Sequence, residues 1–125
     1  MAVKPHHVGI CVTDLERAKR FYGGVLGLTE VARPPFKAAG AWYELPDGTQ
    51  VHLIVHAAPR TLRGTSAVDI LDGHVAFRIA DYDAAVAHLK AHGVECVELP
   101  QNVTAWKQVY FTDPDGNEIE LNVDR

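Results

Sequence analysis

His7-Val8-Gly9-Ile10-Cys11-Val12-Thr13-Asp14 is the stretch whose reading decides the fold, because the chain writes it again near its middle as His74-Val75-Ala76-Phe77-Arg78-Ile79-Ala80-Asp81. In each copy apolar residues alternate with others: Val8, Ile10 and Val12 take one side, and His7, Gly9 and Cys11 the other. That period of two is the mark of a half-buried strand. A second echo follows later in each half, Pro46-Asp47-Gly48-Thr49-Gln50-Val51-His52-Leu53 against Pro114-Asp115-Gly116-Asn117-Glu118-Ile119-Glu120-Leu121. The chain is therefore read as one structural unit used twice.

Working outward from the first copy, the period changes after Thr13. Thr13 and Glu16 have the spacing of a capping box, and Leu15, Ala18, Phe21 and Val25 give the following helix an apolar stripe. Gly23, Gly24 and Gly27 end it. Strands are expected over residues 28–32, 41–45 and 50–55, with Pro46-Asp47-Gly48 turning the chain between the last two. The second half repeats the order. A strand at 74–79 leads to a helix capped by Asp81 or Asp83, carrying Val86 and Leu89 and closed by Gly93. Strands at 94–99, 108–112 and 118–123 complete it. The expectation is an α+β protein of two βαβββ modules, residues 1–56 and 74–125, joined in a single domain by a linker at 57–73. Each sheet has an apolar face for its own helix and a second face bearing His52 or Glu120. Eight strands with helices outside would then line a partly open, barrel-like cavity suited to a small molecule.

Composition narrows the function classes. A chain of 125 residues with 47% hydrophobic content has enough material for a core. The net charge of -4, with twelve scattered Lys and Arg, supplies no basic stripe, so nucleic acid is an unsuitable partner. The sequence shows no secretory leader pattern and no long apolar run, from which a cytoplasmic protein without a membrane partner is expected. Cys11 and Cys96 fall in strands of different halves and read as free thiols.

The four matching points of the two echoes hold His7, His52, His74 and Glu120. All are side-chain types that bind divalent metals, and packing alone does not explain their recurrence in register. The reading is one divalent ion per ligand set. Three imidazoles and a carboxylate suit Zn, Ni, Co, Fe or Mn without choosing among them. Glu120 is the candidate general base, with Glu44 or Glu118 as possible helpers. Trp42, Arg33, Trp106 and Lys107 are candidate substrate contacts, and Tyr110 a candidate catalytic group. His6, His56, His88 and His92 lack the shared register and read as ordinary surface histidines, and Arg60 and Arg63 in the linker as solvated cations.

With these motifs in hand, the chain resembles the vicinal oxygen chelate superfamily, which includes glyoxalase I, extradiol dioxygenases and bleomycin-resistance proteins. The resemblance rests on the paired His-Val motifs, on Phe21-Tyr22 followed by Gly24-Val25-Leu26-Gly27-Leu28, and on Asp113-Pro114-Asp115-Gly116-Asn117-Glu118-Ile119-Glu120-Leu121. It covers nearly the whole chain. It implies that His7, His52, His74 and Glu120 are the metal ligands and that two-module chains pair as homodimers, drawing ligands from both subunits. It further implies a glyoxalase I-like lyase or isomerase acting on a small oxygen-chelating substrate. Glyoxalase I commonly has Glu where this chain has His52, leaving Glu120 as the one ligand carboxylate. Other readings carried by the same resemblance are an extradiol-type dioxygenase using His7, His74 and Glu120 with Tyr110, a metal-free drug-binding protein, and a fosfomycin-modifying transferase.

Overall fold

The computed structural model describes residues 1–56 and 63–125. Strand β1 (His7–Val12) leads into helix α1 (Leu15–Lys19), which runs on as a π-helical turn over Arg20–Val25, followed by β2 (Thr29–Val31), β3 (Gly40–Glu44) and β4 (Gln50–Val55). The second half reads β5 (Val75–Arg78), α2 (Tyr82–Ala91), β6 (Val97–Leu99), β7 (Trp106–Thr112) and β8 (Glu118–Asp124). The repeated βαβββ order and the α+β class are as expected. The chain divides into two compact units, Met1–Thr61 and Leu62–Arg125. Each holds a four-stranded sheet, ordered β1-β4-β3-β2 in the first and β5-β8-β7-β6 in the second. These are two separate sheets, not one closed eight-stranded ring.

The physical logic of each unit is the same. A parallel pair, β1 with β4 or β5 with β8, needs a crossover between its strands, and the helix supplies it. The antiparallel hairpins β3–β4 and β7–β8 close through Asp-Gly turns. In the second turn Asp113 Oδ1 accepts the amides of Asp115 and Asn117, both at 2.9 Å, and Oδ2 accepts the Asn117 side chain at 2.8 Å. Gly116 there has φ of +83°, a left-handed conformation that side-chain-bearing residues avoid. Apolar residues of one strand parity meet the helix: Val12, Val51 and Leu53 are buried in the first unit, and Val109, Phe111 and Ile119 in the second. Removing these side chains from water is the main favourable contribution to each unit.

Several local expectations change. The first helix is capped by Asp14, whose carboxylate accepts the Arg17 amide at 3.0 Å, while the Thr13 hydroxyl receives an Arg17 guanidinium hydrogen bond instead. The helix is also short. The Leu26 amide reaches back to the Phe21 carbonyl at 2.9 Å, the i to i+5 bond of a π turn, where Gly23-Gly24 loosens the backbone. In the second unit Asp81 is the cap, accepting from Ala84 at 3.0 Å. Gly93 closes α2 in a Schellman arrangement, with Gly93 N to Lys90 O and Val94 N to Leu89 O both at 3.0 Å.

The linker was expected over 57–73. Its first part, 57–62 with Arg60, lies outside the described residues. Residues 63–73 are a strap tied to the second unit, and Arg63 is not solvated. Its side chain is 2% exposed, and it donates to Asp72 at 2.7 Å and to the Gly116 carbonyl at 3.0 Å. It also bonds the Ala67 carbonyl and lies 3.9 Å from Glu118. Among the described residues no helix is long and apolar enough to cross a membrane.

Candidate metal centre

In the first unit the parallel register sets Gly9 beside His52, and the antiparallel register sets Trp42 beside His52. The result is a stack of three rings. His7 and His52 lie 4.1 Å apart at 16°, and Trp42 covers the opposite face of His52 at 4.0 Å and 5°. Gln50 fixes the His52 tautomer. Its amide nitrogen donates to the Glu44 carboxylate at 3.0 Å, so its oxygen is the group 2.8 Å from His52 Nε2. A carboxylate only accepts, hence Nε2 carries the proton and Nδ1 keeps the lone pair. Burial lowers the proton affinity of His52, and the neighbouring His7, His6 and Arg33 lower it further. The neutral imidazole is the form that ligates metals. His7 shares a 2.7 Å hydrogen bond between its Nδ1 and that of His6. His6 is otherwise an exposed surface residue, as the sequence reading has it.

The second unit builds a different half. The register sets Tyr110 beside Glu120 and Gln108 beside Asn122 on β7 and β8, and Ala76 beside Glu120 on β5. Glu120, 4% exposed, is gripped from both ends. Its Oε1 accepts the side-chain amides of Gln108 at 3.1 Å and Asn122 at 2.8 Å, while Oε2 lies 3.0 Å from His74 Nε2. Burial alone would push its carboxyl up, but the bonds from Asn122, Gln108, Tyr110 and His74 outweigh that and hold it below the usual value. The carboxylate is therefore ionised. Tyr110, edge-on to His74 at 5.1 Å, has its hydroxyl pushed up to about 12 by burial, by its hydrogen bond to Glu120 and by nearby carboxylate charge. It stays a proton donor at neutral pH.

His74 Nδ1 lies 2.9 Å from the Asp72 backbone carbonyl, which can only accept. A singly protonated ring must then aim the Nε2 lone pair at a carboxylate oxygen 3.0 Å away. Either a second proton or a cation is needed to relieve that opposition. The donor set fits a divalent metal: a charged oxygen and an oriented imidazole nitrogen share one focus, and a carbonyl fixes the other ring nitrogen as outer-sphere partners do. Arg63 supports this arrangement through its bond to Asp72.

The remaining candidates separate by strand parity. Trp106 shares the parity of Gln108 and Tyr110, beneath the Arg78 guanidinium at 5.7 Å, with its indole nitrogen buried and without an acceptor. Lys107 has the opposite parity, and its ammonium reaches the Tyr82 ring of α2 at 5.6 Å. The structure does not bring Lys107 to Glu120. Glu44 accepts from Gln50, and Glu118 is buried, its Oε1 accepting the Asp69 amide at 2.7 Å while its Oε2 has no hydrogen-bond partner among the described residues. Among the described residues Cys11 and Cys96 are in no disulfide. Among the described residues no group of three or more His, Cys, Asp or Glu side chains is gathered around one point. Each unit by itself contributes a pair.

The side-chain amides of Gln108 and Asn122, which hold Glu120 Oε1, were passed over by the sequence reading. Their alternation with Tyr110 and Glu120 was the available signal, since all four share one sheet face.

Comparison with known proteins agrees with this architecture. Residues 4–121 match the family model of the Glyoxalase/Bleomycin resistance protein/Dioxygenase superfamily. The chain belongs to that superfamily. It is 33% identical over 119 residues to the uncharacterized protein YaeR of Escherichia coli (strain K12), covering 93% of this chain and 92% of YaeR. It is 31% identical to a 2-epi-5-epi-valiolone epimerase of an Actinomyces species, covering 96% of this chain and 79% of the epimerase. Among solved structures, the E126Q mutant of the fosfomycin resistance protein FosX from Listeria monocytogenes, complexed with Mn(II) and 1S,2S-dihydroxypropylphosphonic acid, superimposes with a TM-score of 0.76 at 19% identity. That match covers 100% of this chain and 94% of FosX.

Proposed function

We propose that this protein is a metal-dependent lyase or isomerase of the glyoxalase type, acting on a small molecule that offers two neighbouring oxygens. His7, His52, His74 and Glu120 are the ligands of one divalent ion per set, drawn from two copies in the homodimer that the superfamily resemblance implies. The observation that carries the reading is the approach of His74 Nε2 to within 3.0 Å of a buried Glu120 carboxylate oxygen, with the other ring nitrogen held 2.9 Å from the Asp72 carbonyl. A bound divalent ion supplies Lewis-acid polarisation of the substrate oxygens.

The chain's own residues would do the rest. Gln108 and Asn122 both occupy Glu120 Oε1, so Oε2 is the oxygen left to ligate or to take a proton from a carbon next to a carbonyl. Tyr110 donates to the same carboxylate and keeps its own proton at neutral pH, so it can return hydrogen bonding when Glu120 moves toward substrate. Trp42, flat against His52, offers an apolar wall, and Trp106 and Arg33 are further candidate contacts. The similarity to an epimerase favours a reaction in which a proton leaves and returns, as isomerases of this kind require.

The test is elemental analysis of protein purified without chelator. One divalent ion per ligand set is expected, lost in His74→Ala and Glu120→Ala. Protein that folds, carries no metal and does not take up Mn, Zn, Ni, Co or Fe when offered would overturn the proposal.

A further inference from the structure

Arg33 lies in the connection between β2 and β3, beside the ring stack of the first unit. Its guanidinium rests against Gly40, where an added Cβ would meet Cζ and Nη2 at 2.9 Å. It lies over the Phe36 ring at 4.9 Å, and Phe36 is 6.1 Å from Trp42, which stacks on His52. The Leu53 backbone carbonyl, 2.3 Å from such a Cβ, already excludes a side chain at Gly40, and the guanidinium lies in the space so left.

The charge there is poorly matched. Nη2 donates to the Ala38 carbonyl at 2.9 Å, but Nε is buried with no acceptor. Among the described residues no carboxylate pairs with Arg33, whereas Arg63 has two such partners and Arg78 one. The second unit makes the contrast plain. By strand register Gln108 occupies on β7 the place Gly40 occupies on β3, since Gln108 pairs with Asn122 and Gly40 with Ile54. Gln108 spends its donors on Glu120 and Tyr110, groups of its own unit. Arg33 has the Ala38 carbonyl but no acceptor at its buried Nε and no carboxylate partner among the described residues, and its charge lies close enough to His52 to act on that imidazole, so an anion at this point would be favourable.

We propose that Arg33 is the anion grip of the candidate centre: it takes an oxyanion group of the substrate, a carboxylate or a phosphorus oxyanion. This rests on the preceding proposal for the identity of the centre. The substrate class becomes a small hydroxy or keto acid, or its phosphonate or phosphate counterpart, rather than a neutral diol or aldehyde.

The test titrates the full, metal-supplied chain by calorimetry with lactate, with 2-hydroxyethylphosphonate and with uncharged ethylene glycol, while metal content is measured on the same samples. At least one of the two anions is expected to give a saturable change. Arg33→Gln should weaken it about tenfold or more, the usual scale of a lost charge-assisted contact, and Arg33→Lys should weaken it less. Metal content and the ethylene glycol response should not move. Which anion responds distinguishes the carboxylate from the phosphorus source. Equal anion affinity in Arg33→Gln, or no response to either anion, overturns the grip, and does so even if metal is bound and the centre stands. Anion binding that needs Arg33 in protein unable to hold metal upholds the grip and sinks the metal reading instead. Should Arg33→Gln fail to fold, Arg33→Lys decides, since charge retention without any retained anion response overturns the proposal.

Discussion

The two units share an order of elements and a sheet topology, yet they hold their candidate ligand pairs in different ways. The first uses ring faces: Trp42, His52 and His7 stack, with one amide, Gln50, choosing the tautomer. The second uses hydrogen bonds: Gln108, Asn122, Tyr110 and His74 converge on one buried carboxylate. Duplication therefore kept the positions and changed the physics. Stacking immobilises a neutral imidazole with little directional demand, whereas a buried carboxylate must be met by donors or it will take up a proton. A charged ligand is held by a network, a neutral one by a shelf.

Substitutions can break or sharpen this contrast. The largest effect is expected from Glu120→Ala, which removes the one negative charge of the ligand set: bound metal and any turnover should fall below detection, whereas His52→Ala should leave weaker but measurable metal, by elemental analysis and calorimetry. Arg63→Met should cost about 3 kcal/mol in denaturant unfolding, because it strands the buried Glu118 carboxylate. The Arg63 hydrogen bond also holds the Asp72 carboxyl below its ordinary value. That contribution is present above the unfolded carboxylate value and fades as pH falls through the lowered native one. The acid limb of the stability curve should therefore flatten in Arg63→Met. Gln108→Leu keeps the first-unit shelf and loosens the network, so metal affinity should drop about 10- to 100-fold, as for other outer-sphere partners. The smallest effects belong to the helix caps: Asp14→Ala and Asp81→Ala should each lose about 1 kcal/mol. Asp81→Ala should lose more than Asp14→Ala because α2 has ten residues to destabilise and α1 five.

Much of this was legible in the residues. The period-two alternation around His7 and His74 placed β1 and β5, and Asp-Gly turns placed the hairpins that put Trp42 opposite His52 and Tyr110 opposite Glu120. Local signals of that kind depend on neighbours in sequence. The cap at Asp14 was misplaced by one residue because Thr13 and Asp14 both have capping side chains, and only the backbone decides between them. Arg63 was hidden for a stronger reason. Its partners include Glu118 and the Gly116 carbonyl, far along the chain, and no spacing rule reports a contact of that range. Lys107 was grouped with Tyr110 by nearness in sequence, although an odd offset along a strand sends its side chain to the helix side.

The strap has a consequence for how the second half can be cut from the first. Thr65 presses its carbonyl against Gly116 so closely that a methyl group there would lie 2.7 Å from it, and Arg63 plugs the same turn from within. A fragment started at His74, where the sequence echo begins, would expose a raw carboxylate and an open seam. One started ahead of Arg63 carries its own seal, so the second unit is bounded by its clasp and not by the point where its motif first becomes readable.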